Sequence, residues 1–224
     1  MGWKASSIII KSKSDLDYDS FTAELGYLGI QNIQNETFET AIYPDENKLF
    51  IGRYKDCIII SAQDIPMLFF EDSLSKVEQK LIERFPDAEI CSIVLHSVVN
   101  LWGFAIIKNG AKIRVRAGSA NDGTFCDYGE LQEEEKEIFS KSSVDENGRR
   151  IYKFEDMPGE IFSEDQVGEN YVFAMTKRYF SQQLDSLDDL LFETEFNGYE
   201  YSENKYSNSN EDSSERKKPW WKFW

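Results

Sequence analysis

Ile90-Cys91-Ser92-Ile93-Val94-Leu95-His96-Ser97-Val98-Val99-Asn100, then Leu101-Trp102-Gly103-Phe104-Ala105-Ile106-Ile107, then Lys108-Asn109-Gly110, then Ala111-Lys112-Ile113-Arg114-Val115-Arg116-Ala117-Gly118: these residues form the spine of the chain. β-branched and aromatic residues fill the runs, as strands require. Asn109-Gly110 between two such runs signals a hairpin, because a type I′ turn needs positive φ at both central positions. Three consecutive strands are expected here, at the centre of a sheet.

Outward from the spine, residues 3–10 read as a first strand ending in Ile8-Ile9-Ile10. Residues 16–28 read as a helix, with Phe21, Leu25 and Leu28 on one face and Gly29 closing its end. Residues 48–53 and 56–62 read as strands joined tightly at Tyr54-Lys55. Residues 72–85 form the clearest helix of the first half, with Leu74, Val77, Leu81 and Phe85 in one stripe. Beyond the spine come a short strand at 124–128, an acidic helix at 131–139, a loop at 141–148 and an edge strand at 150–154. A helix at 168–182 continues through 184–192. Strands cluster and helices do not alternate with them, which predicts an α+β fold: a largely antiparallel or mixed sheet with helices packed on one face. The expected organisation is a single domain over residues 1–192. An acidic, polar and disordered linker over 193–218 and a Trp-rich docking peptide over 219–224 follow it.

The 224 residues are 41% hydrophobic, enough to bury a core, and the net charge is -16 at pH 7. Such a charge repels nucleic acid and anionic membrane and favours a basic protein partner. No apolar run approaches the roughly 20 residues of a membrane helix. Cys57, Cys91 and Cys126 are odd in number and far apart, which argues against a disulfide framework or a zinc knuckle and fits a cytoplasmic protein. The glycine loops match neither a P-loop nor a dinucleotide fingerprint. No cofactor and no metal are expected.

Three features hold candidate chemistry. His96 is the only histidine and lies in an apolar strand, so the expectation is a hydrogen-bonded sheet histidine. Arg114 and Arg116 share one strand face and precede Asp122, Asp127 and Glu130. Two guanidiniums near several carboxylates suit an anionic ligand, or hold acid–base carboxylates. Finally, Pro219, Trp220, Trp221, Phe223 and Trp224 concentrate the residues that dominate interface hot spots, and Arg216, Lys217, Lys218 and Lys222 make that end basic. Its targets are a groove on a partner or a patch on its own domain.

Several of these motifs together resemble an uncharacterised bacterial family, a domain of unknown function. They are Met1-Gly2-x-Lys4, the run from Ser97 to Ala105, Gly110 ahead of Arg114, Asp127-Tyr128-Gly129-Glu130 with Glu133 to Glu135, and a late helix from Gly168-Glu169 to Lys177-Arg178-Tyr179-Phe180. The resemblance covers Met1 to about Phe180. It implies a compact α+β domain of bacterial origin and no activity. The expected function is a non-enzymatic protein–protein interaction module, of an inhibitor or immunity type. The alternatives are a small-ligand binder or enzyme at the arginine–carboxylate cluster, and a scaffold acting through its aromatic tail.

Overall fold

Ile8-Ile9-Ile10, Ile58-Ile59-Ile60 and Ile93-Val94-Leu95 are apolar at every position, so strands made from them need cover on both faces. A computed structural model, with residues 2–206 described, has that arrangement. In chain order the elements begin β1 (Lys4–Lys11), α1 (Tyr18–Glu24), β2 (Tyr27–Leu28), β3 (Gln31–Thr37), α2 (Phe38–Ala41), β4 (Lys48–Tyr54), β5 (Cys57–Ala62) and α3 (Lys76–Arg84). The spine supplies β6 (Ile90–His96), β7 (Leu101–Lys108) and β8 (Ala111–Ser119). Then follow β9 (Gly123–Gly129), α4 (Glu133–Ser140), β10 (Ser142–Val144), β11 (Arg150–Tyr152), β12 (Phe162–Ser163), α5 (Glu164–Phe180), β13 (Glu195–Glu200) and β14 (Glu203–Asn204).

Nine strands form one antiparallel sheet in the order β3-β13-β4-β5-β1-β6-β7-β8-β9. The spine is three adjacent strands of it. Lys108 pairs with Ala111, and Asn109 and Gly110 between them have φ of 51° and 75°, as the turn chemistry requires.

Alternation along each strand sends side chains to two separate cores. Ile9, Ile59, Ile93 and Phe104 face one side, under α2, α4 and α5. Ile8, Ile10, Ile58, Ile60 and Val94 face the other, under α1, α3 and a 3-10 segment at Ile65–Phe70. The expectation of helices on one face is therefore corrected to helices on both. The continuous isoleucine runs carry that information, since a half-solvated sheet would alternate.

Three boundaries differ for local reasons. The first helix ends at Glu24 rather than 28, because Gly26 at φ 92° turns the chain into β2, which pairs with β14. Arg150–Tyr152 is the middle strand of a small sheet between β10 and β12, not an edge, and β10 falls in the expected loop. The folded body continues past residue 192: Glu195–Glu200 is β13, inside the main sheet between β3 and β4. Phe196, Tyr199 and Tyr201 are the buried aromatic residues that hold this otherwise polar stretch. Residues 207–224, which include Pro219, Trp220, Trp221, Phe223 and Trp224, lie outside the described residues.

The end of α5 is tied to the start of β6. Arg178 Nε and Nη2 donate to the two Glu89 oxygens at 2.5 and 2.9 Å, and Tyr179 Oη donates to Glu89 at 2.9 Å. Burial acts to raise the Glu89 carboxyl, but Arg178 and Tyr179 outweigh it and hold the group below its usual value. A depressed carboxyl stabilises the fold above its unfolded pKa and loses that contribution as pH falls through the folded value. Arg178→Met should destabilise the protein by about 2–3 kcal/mol at pH 7. The gap in urea midpoint between parent and variant should narrow as pH falls through the Glu89 titration, because the variant no longer has that contribution to lose, and a gap that stays constant into acid would refute the tie.

Candidate functional site

Arg114 and Arg116 point from β8 into the core beneath α4 and α5. Both are buried, and so is Glu135 on α4. Glu135 Oε1 and Oε2 accept from Arg114 Nη2 and Nε at 2.8 Å each, and Arg116 Nη1 lies 3.5 Å from Oε1. Asp127 on β9 accepts from Arg114 Nη1 at 2.7 Å. Arg116 Nη2 donates to Glu164, the first residue of α5. Glu164 also accepts from Tyr152 and Thr124, at 3.1 and 2.8 Å. The Arg116 guanidinium stacks 4.2 Å from the Tyr171 ring centroid, a cation–π contact made in a dry interior. Burial raises the Tyr152 and Tyr171 hydroxyls, so both stay neutral.

This cluster unites Arg114, Arg116 and Asp127 of the five sequence candidates. Asp122 instead sits in the β8–β9 turn, accepting from Ser119 Oγ at 2.9 Å, and Glu130 is exposed. The cluster also recruits Glu135 of the acidic run, together with Glu164, Tyr152 and Tyr171, none of them among the five candidates. One of them had a local signal. Gln132 and Glu135 have capping-box spacing, and the reciprocal cap is present, with Gln132 N donating to Glu135 Oε2 at 3.0 Å. An acidic run on a helix is usually a solvated face, yet Glu135, the third of Glu133 to Glu135, is the buried hub. As arranged, the guanidiniums are engaged by the protein's own carboxylates and join β8, β9, α4 and α5.

A second site lies at one end of the central strands, lined from both cores. A cavity of about 240 Å³ opens where β1 and β7 begin and β6 ends. Met67, Val94 and Leu101 give it apolar walls, and Ser6, Tyr43, Gln63 and His96 bring polar atoms. Ser6 is 3% exposed, and neither its Oγ nor His96 Nδ1 has a hydrogen-bond partner among the described residues. The expected hydrogen-bonded sheet histidine is thus a half-buried cavity residue, set edge-on to Tyr43 at 5.9 Å. Burial, and then the charge of Lys4, lower the His96 pKa, against a backbone hydrogen bond that raises it, so the ring is neutral at pH 7 with one donor and one acceptor nitrogen. None of the five sequence candidates lines this cavity.

Residues 25–144 match the model of a family described as a family of unknown function, DUF6928. The chain belongs to this family. No curated protein and no solved structure matches it. The DUF6928 match takes in the whole spine, His96, both arginines and Glu135, but not β1, α5 or β13. It is shorter than the resemblance over Met1 to about Phe180. Each DUF6928-region site here is thus completed by outside segments: Ser6 of β1 at the cavity, and Glu164 and Tyr171 of α5 at the cluster.

Among the described residues no group of three or more His, Cys, Asp or Glu side chains is placed to hold a metal ion. Cys57, Cys91 and Cys126 are free, and burial pushes the Cys57 and Cys126 thiols up to about 11. No helix among the described residues is long and apolar enough to cross a membrane.

Proposed function

We propose that the chain is a non-enzymatic protein–protein interaction module, of the inhibitor or immunity type, that engages a basic partner. The supporting observation is Phe192, 53% exposed on a short π-helical turn at Asp189–Glu193. Asp185, Asp188, Asp189, Glu193 and Glu195 are exposed around it in sequence. An aromatic anchor within a charged rim is the anatomy of a docking patch, and π-helical turns occur often at functional positions. The charge balance agrees. Residues 207–224 hold four basic and three acidic residues, so the rest of the chain holds 21 and 38, a net of -17. Arg114, Arg116 and Arg178 are engaged by internal carboxylates, which leaves the acidic side chains to set the surface potential.

The test is quantitative co-purification from the native host. A specific partner should be recovered at low salt and lost progressively as salt rises. Phe192→Ala should weaken the complex by about 2 kcal/mol, near thirtyfold. Asp188→Lys with Asp189→Lys should slow its association. Recovery of no saturable partner, or equal binding by the parent and Phe192→Ala, would refute this reading.

A further inference from the structure

The His96 cavity has a specific chemistry. An apolar cavity of about 150 Å³ is enough to take a benzene ring. The 240 Å³ here suits a bicyclic aromatic group. Its walls are mostly apolar, but Ser6 Oγ and His96 Nδ1 are buried without a partner, and such atoms cost free energy until they gain one. Ser6 Oγ accepts, and so does His96 Nδ1 in the Nε2–H tautomer, so a flat apolar group carrying a hydrogen-bond donor would satisfy either atom. An indole has that shape and one N–H donor and no acceptor.

The chain itself carries three indoles in its last five residues, Trp220, Trp221 and Trp224. We infer that one of these indoles occupies the cavity of its own chain, donating its N–H to His96 Nδ1 or Ser6 Oγ.

Reach and charge both favour this occupant. Tyr206 packs against the core that supplies Val94 and Met67 to the cavity wall, so the chain leaves the described body beside one of the two cores that line it. Thirteen residues separate Tyr206 from Trp220, an extended span of roughly 45 Å. That exceeds the radius of gyration of about 17 Å for a chain this long. Arg216, Lys217, Lys218 and Lys222 flank the tryptophans, against the net -17 of the remaining chain. Exposed Asp45 and Glu46 follow closely on Tyr43 of the cavity wall. Two cations lie close by: Lys48, whose Nζ pairs with Asp45 at 2.8 Å, and Lys4, whose Nζ lies 5.4 Å from the Tyr43 ring centroid, so the attraction rests on the net charge of the body rather than on Asp45. The seat is independent of the Phe192 patch, so either can fail without the other.

The test is NMR on the full chain and on a full chain with Trp220→Ala, Trp221→Ala and Trp224→Ala. His96 is the only histidine, so its ring signals are unambiguous. In the parent, one of these indoles should show an NOE to the His96 ring, and its N–H should exchange about tenfold more slowly than the other two. The His96 signals should move in the triple variant and stay fixed on dilution of the parent. Free indole should titrate those signals in the triple variant and leave them unchanged in the parent. Three indoles exchanging alike, with identical His96 signals in both proteins, would overturn the inference. A concentration-dependent His96 shift would also overturn it, by pointing to a second copy. So would free indole titrating both proteins equally, by pointing to a small molecule.

Discussion

Glu135→Gln is expected to destabilise the protein by about 3–5 kcal/mol, the cost of removing one partner from a buried ion pair. Glu135 receives both arms of Arg114 and the approach of Arg116, and all three side chains are buried. Gln keeps the shape and one acceptor oxygen but removes the charge. Two guanidiniums would then share Asp127, which is 45% exposed and screened by water, and Glu164. A guanidinium does not shed its proton, so the strain cannot be relieved by neutralisation. The change should appear as a lower urea midpoint with an unchanged slope, and as a fall in Tm of roughly 2–4 °C per kcal/mol.

A companion variant separates the value of the network from the cost of breaking it. Glu135→Met with Arg114→Met and Arg116→Leu replaces the buried charges together. Burying ions is itself costly, so this triple variant should be more stable than Glu135→Gln alone. If instead the triple variant is the less stable of the two, the cluster is a net source of stability and this account fails.

The spine was the most legible part of the fold. A two-residue Asn-Gly turn and strand-like runs are local signals, and β6, β7 and β8 follow them closely. The second helical layer was harder to see, because it depends on what covers each face rather than on any short motif. The uninterrupted Ile58-Ile59-Ile60 in an antiparallel sheet was the available clue. β13 was hidden for a different reason: Glu195–Glu200 has low local propensity and is held by pairing with β3 and β4, more than 140 residues earlier in the chain. The site residues divide the same way. Arg114 and Arg116 share a face by strand alternation, which sequence shows. That this face is internal depends on α5, contributed from residue 164 onward. His96 looked like core because its strand is apolar. The cavity beside it arises where β1 and β7 begin and where Met67 covers the sheet, a three-way junction with no sequence signature.

Gly168 on α5 offers the sharpest contest between local and tertiary effects. In a helix interior Ala is favoured over Gly by about 1 kcal/mol, so propensity alone predicts that Gly168→Ala stabilises. The packing predicts the reverse. A Cβ at 168 would lie 2.1 Å from Cδ1 and Cγ of Trp102 and 2.3 Å from Cδ2. The Trp102 ring is fully buried and cannot swing to water. It stacks on Tyr171 at 6.0 Å, and the Arg116 guanidinium lies 5.6 Å from its centroid, so turning it would disturb the ion cluster. The remaining relief is for α5 to lift from β7, which opens the core along the helix. Gly168→Ala should therefore destabilise by about 3 kcal/mol, at the upper end for overpacking. Trp102→Phe removes the ring that the new methyl group strikes. The double variant should then be less destabilised than the sum of the two single changes, a favourable coupling of about 1 kcal/mol or more. A Gly168→Ala protein more stable than the parent would show that helix propensity wins here and that α5 does not sit on β7 through this glycine.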